Sequence, residues 1–137
     1  MLKNIKNWLD NHPRIIKIVF GFYFIILTGL LLKSPEDNQS LKLLGSVLGL
    51  GTGFGDKIVH IITFLGLSLL GRTSFPKRNP VILILLFTLY GVAIEFLQEY
   101  MSTGRTCEFL DMLADFTGCL LGVILAKLLI KKTKSSG

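Results

Sequence analysis

The chain has 137 residues, half of them hydrophobic and 18% charged, fewer charges than the roughly one quarter of an ordinary soluble domain. This length makes one domain, and two cysteines are too few for a disulfide framework. The net charge of +6 does not mark a nucleic-acid binder, because the basic residues flank apolar runs, where they set orientation and meet anionic headgroups; the expected partner is a lipid bilayer, with no nucleic acid.

Residues 1–14 form a basic lead, with Leu2, Ile5 and Leu9 at helical spacing and Trp8 beside them. This pattern suits a short helix in the membrane interface, and also a frayed basic tail. Pro13 ends that helix or opens the next. Residues 15–32 form a first apolar span whose one charge, Lys17, sits near its start, where it can snorkel. The long polar lead and the lack of a small-residue cleavage site make this a retained span rather than a signal peptide. Ser34, Pro35, Glu36, Asp37 and Asn38 mark a loop.

Residues 41–54 are apolar but broken by Gly45, Gly49, Gly51 and Gly53. A bilayer-crossing helix needs about 20 apolar residues, so this stretch reads as an interfacial or re-entrant segment roofing the outer end of the bundle. A second span follows over residues 56–71, then a basic loop with two prolines over 72–80. The third span covers 81–98 and is apolar until Glu95. Residues 99–110 form a polar connection, 111–130 a fourth span, and 131–137 a basic tail.

The expected fold is therefore all-α: a polytopic bundle of four transmembrane helices. Residues 15–130 make the membrane domain, between a cytoplasmic lead (1–14) and a cytoplasmic tail (131–137). Orientation rests on lysine and arginine. Lys3, Lys6 and Arg14 in the lead, Arg72, Lys77 and Arg78 in the second loop, and Lys131, Lys132 and Lys134 in the tail share one side of a four-span chain. Both termini are then cytoplasmic in a multi-pass cell-membrane protein. The starts of spans two and four and the end of span three face outward.

Unusual polar residues gather at that outer face. Asp56 and His60 are four apart, Glu95 and Gln98 three apart, and Asp111 and Asp115 four apart, so each pair shares a helix face. Arg105 lies in the connection between spans three and four. Ionisable groups in hydrocarbon are costly and turn toward a bundle interior or a wet cavity. Each also has a plainer reading: Asp56 and Asp111 as N-caps, His60 as a hydrogen bond to a neighbouring helix, Arg105 as a headgroup anchor. Capping does not explain Asp115, one turn deeper, whereas pairing with Arg105 or His60 does. Gly118 and Gly122 continue the Asp111–Asp115 face. Their spacing allows close helix approach, either within the chain or in a homo-oligomer. Cys119, inside an apolar run, reads as a small packing residue, and Phe20, Phe22, Tyr23 and Phe24 as lipid- or helix-facing.

Asp56-Lys57-x-x-His60, followed by Phe64-Leu65-Gly66-Leu67, resembles the opening motif of the VanZ-like membrane proteins. Glu95-Phe96-Leu97-Gln98, Gly104-Arg105-Thr106, Asp111, Gly118 and Gly122 resemble that family's second block, in order and spacing. Asp115 departs from it, standing where the family's pattern has asparagine. The resemblance implies a cell-envelope protein linked to glycopeptide (teicoplanin) resistance, and implies no particular reaction.

Three functions fit this reading. The first is an outer-face pocket of Asp56, His60, Glu95, Gln98, Arg105, Asp111 and Asp115 that binds a lipid headgroup or a lipid-linked envelope precursor, with Arg105 gripping phosphate or carboxylate. The second is a membrane enzyme acting on a lipid-linked substrate, with His60, Glu95 and Asp115 as the candidate catalytic groups. His60 with two carboxylates is also a donor set for a divalent metal, although no nucleophile motif, zinc motif or phosphate loop names a cofactor. The third is a small oligomeric transporter, disfavoured because the polar residues sit at one end instead of along the axis.

Overall fold

The computed structural model describes residues 2–32, 52–101 and 108–131. Five helices are present among the described residues: α1 (Leu2–Asn11), α2 (Pro13–Leu31), α3 (Thr52–Ser74), α4 (Pro80–Tyr100) and α5 (Phe109–Lys131).

The lead does form a helix, on which Trp8 stacks against His12 with ring centroids 5.0 Å apart. Pro13 opens α2, in the first-turn position where its missing N–H deprives the helix of nothing. Asn79 and Pro80 start α4 in the same way, the Asn79 side chain accepting the N–H of Val81 at 2.9 Å. Arg72 closes the turn before it, donating to the carbonyls of Phe75 and Pro76.

Among the described residues, three helices are long and apolar enough to cross a membrane: Pro13–Leu31, Pro80–Tyr100 and Phe109–Leu129. By length and composition this gives three candidate spans and not the expected four, since α3 is not among them. With 23 residues α3 is long enough, but it carries Lys57, His60, Thr63, Ser68, Arg72, Thr73 and Ser74. Its position explains that composition. Of the side chains from Lys57 to Ser74, only Ile62 is exposed. On α2, by contrast, Ile18, Phe22, Ile25 and Ile26 stand open to the surroundings. Such exposed apolar faces are those of helices in contact with lipid, whereas α3 is the axis around which they pack.

Close packing on α3 has a sequence cause. A Cβ on Gly118 would run into the Ile61 carbonyl, and one on Gly122 into Ser68 and the Leu65 carbonyl. The two glycines therefore let α5 lie directly on α3, and within this chain their face is already occupied. Ser68 donates across that contact to the Gly118 carbonyl. Cys119, fully buried, joins Leu27, Phe64, Leu67, Phe87 and Ile94 in the core, as its apolar setting requires. The aromatic run of α2 divides. Phe22 is exposed, while Phe24 packs on Tyr90 at 4.7 Å and Phe20 on Phe87 at 6.0 Å. Tyr23 donates to the Thr63 carbonyl at 2.8 Å.

The α3 helix begins at Thr52, so the last residues of the expected re-entrant segment form its first turn instead. The rest of that segment and the roof expected of it lie outside the described residues.

Candidate functional site

One stripe of α4 is buried: Leu83, Phe87, Gly91, Ile94, Glu95 and Gln98. These spacings of three and four residues mark the core-facing side of a helix. Glu95 and Gln98 therefore cannot reach lipid; the apolar residues below them turn them inward. The same holds on α5, where Asp111, Asp115, Gly118 and Gly122 fall on one buried face, and on α3, where His60 heads the stripe continued by Phe64, Leu67 and Ser68.

These stripes converge at one end of the bundle. His60, Glu95 and Asp115 are 1%, 2% and 1% exposed, and each offers a donor atom within 4.8 Å of the other two. With a rise of 1.5 Å per residue, they lie roughly 8–12 Å in from the ends of their helices. His60 Nδ1 and Asp115 Oδ1 are 2.8 Å apart, within the usual range of a charge-assisted hydrogen bond to a carboxylate. With the proton on Nδ1, Nε2 is the basic nitrogen of the imidazole. The His60 ring lies parallel to that of Phe64, with centroids 6.5 Å apart and planes at 4°.

Two further features hold the acids. Gly91 has no side chain, and Asp115 occupies that space: a Cβ there would collide with Asp115 Oδ2 and stand 3.0 Å from its Cγ. Gln98 donates from Nε2 to the Leu31 carbonyl, tying the end of α4 to the end of α2. Beneath it Thr28 and Tyr90 share a hydrogen bond of 2.8 Å.

Above the cluster lies an ion-paired rim. Lys57 Nζ is 2.9 Å from Glu108 Oε2 and 3.0 Å from Asp111 Oδ1. Asp111 is in the first turn of α5, where the helix dipole favours a carboxylate. It is the third residue of the helix, past the cap position, and serves as a partner for Lys57. Asp56 is likewise inside α3, four residues past its start, so the N-cap reading of it is also corrected; its side chain is not described. Arg105 and Cys107 lie outside the described residues.

The sequence-expected residues thus separate. His60, Glu95 and Asp115 form a centre, Gln98 a brace, and Asp111 part of the rim. Sequence reasoning missed Gly91, a lone glycine in an apolar helix with nothing to mark what it faces. It also missed the clasp from Lys57 to Glu108 and Asp111, which joins residues more than fifty positions apart. Chemically, the centre offers an imidazole paired to a carboxylate with a second acid alongside. That arrangement can move a proton, orient a polar group or ligate a cation.

No curated protein and no solved structure matches the chain. With α3 buried among apolar helices and the Asp56–His60 and Glu95–Gln98 motifs at one end, the match that residues 3–130 make to the VanZ/LLP1 family places the chain in that family.

Proposed function

We propose that the chain is an integral membrane protein of the bacterial cell envelope that binds the polar headgroup of a lipid or lipid-linked envelope precursor at the outer end of its bundle. In this reading α3 passes through the bilayer inside the other three helices, and both termini are cytoplasmic. One observation carries the proposal: three ionisable side chains from three helices are buried around a common point near one end of an apolar bundle. Holding charge-bearing groups there opposes folding, and a ligand of matching polarity offsets that burden. Arg105, in the short connection between Glu95 and Asp111, supplies the planar fork that suits a phosphate. A protein that engages envelope precursors at the outer face is also placed to alter glycopeptide susceptibility, the phenotype that the family resemblance brings.

The test uses the full chain in phosphatidylcholine nanodiscs titrated with a polyprenyl phosphate. Saturable retention that falls at least about tenfold in Arg105→Gln supports the reading. Equal retention by the wild type and that variant overturns it.

A second reading has its own observation, the 2.8 Å contact of His60 with Asp115 and Glu95 nearby. A carboxylate that orients an imidazole makes it a general base, so the site would act chemically on the lipid-linked substrate that it binds. Turnover of that substrate by the wild type, lost in His60→Gln while binding remains, separates this reading from the first.

A further inference from the structure

We propose that His60, Glu95 and Asp115 bind one divalent transition-metal ion, of the zinc or manganese class, at the outer end of the bundle. The proposal deepens the headgroup-binding reading, and rests on it for the role of the site, though the metal itself can be tested separately.

The donor set is the first reason. One imidazole nitrogen and two carboxylate oxygens suit zinc and manganese, whereas magnesium and calcium favour oxygen alone. Three protein ligands with an open position are also the arrangement of zinc sites that engage a substrate.

Spacing is the second. The three donor atoms lie within 4.8 Å of one another. Ligands about 2.1 Å from a tetrahedral zinc stand about 3.4 Å apart. The donors thus stand within about 1.4 Å of that spacing.

Electrostatics is the third. Glu95 and Asp115 are both almost fully buried, and two carboxylates so close repel each other strongly in a poorly solvated place. A divalent ion neutralises both acids at once, and its open position can receive an anionic headgroup.

Preorganisation is the fourth. Each ligand stands on a different helix, α3, α4 or α5, with its neighbours locked: Phe64 beside the His60 ring and Gly91 against Asp115. Sites carried on packed helices hold their geometry better than sites on loops.

The experiment uses the full chain in mild detergent, stripped with a chelator and dialysed against zinc or manganese chloride. Metal per chain is read by plasma mass spectrometry and affinity by calorimetry. One ion per chain is expected. Glu95→Gln and Asp115→Asn should each weaken binding at least about tenfold, while Glu99→Gln, an exposed change on the same helix, should not. Cobalt loading of the wild type gives a readout that does not depend on whether a variant folds: its visible spectrum should report nitrogen and oxygen ligands in a low-symmetry site. Substoichiometric binding of both metals, or tight binding unchanged in both site variants, overturns the proposal. Polyprenyl phosphate retention measured on the stripped protein separates the two ideas. If retention persists without metal binding, the metal site alone is refuted; if metal binds and the lipid does not, the headgroup reading fails instead.

Discussion

The contact between His60 and Asp115 carries a quantitative prediction. The two side chains are 1% and 2% exposed and 2.8 Å apart, so water cannot replace either partner. With both charged, Coulomb attraction at that distance and an effective dielectric of about 20 is about 6 kcal/mol before desolvation is counted. With neutral imidazole, the contact is a hydrogen bond to a charged acceptor, worth about 1.5–3 kcal/mol. Truncating one partner strands the other, so His60→Ala and Asp115→Ala should each destabilise the protein by about 3–5 kcal/mol. Because each single change already abolishes the same contact, the double variant should be less destabilised than the two added together, by about 2 kcal/mol. The assay is unfolding of the detergent-solubilised chain by titration with a denaturing detergent, followed by circular dichroism, for the wild type, both single variants and the double. Additivity within about 0.5 kcal/mol would refute the pairing and, with it, the view that α3 and α5 are locked together at this end of the bundle through this contact.

Two further outcomes are expected. Gly122→Leu should overpack the contact between α5 and α3, destabilising by about 1–3 kcal/mol, and Gly91→Ala should displace the Asp115 carboxylate, whereas Gly21→Leu, at a position with nothing within 4 Å, should leave thermal unfolding unchanged; three equal melting curves would show that the glycines do not set the helix spacing. A reporter fused after Gly137 should be active only in the cytoplasm, and activity restricted to the outside would overturn the orientation and the outer placement of the site.

Much of this was legible in local patterns. An apolar run of bilayer length forms a helix because its backbone polar groups have no partner in lipid other than one another. That reasoning placed α2, α4 and α5 to within two residues at each end. It also turned Glu95, at the end of an apolar run, and Asp115, one turn past a capping position, away from lipid, and both are buried. The same reasoning failed for α3. Its glycines and charges suggest a late start, yet the helix begins at Thr52, since tertiary context overrides weak local propensity.

What periodicity determines is which residues share a face of one helix; it carries no information about which face of another helix lies opposite. Tertiary packing alone decided that α3 would be the shielded axis, so that a helix rich in polar residues could sit among apolar ones. The pairing of His60 with Asp115, the engagement of Lys57 by Glu108 and Asp111, and the use of Gly91 as space for a carboxylate follow from that packing too. Each depends on the rotation and depth of two helices relative to each other. Those are set by how the small residues of one surface admit the ridges of the next, which is a property of the pair and of neither strand of sequence alone.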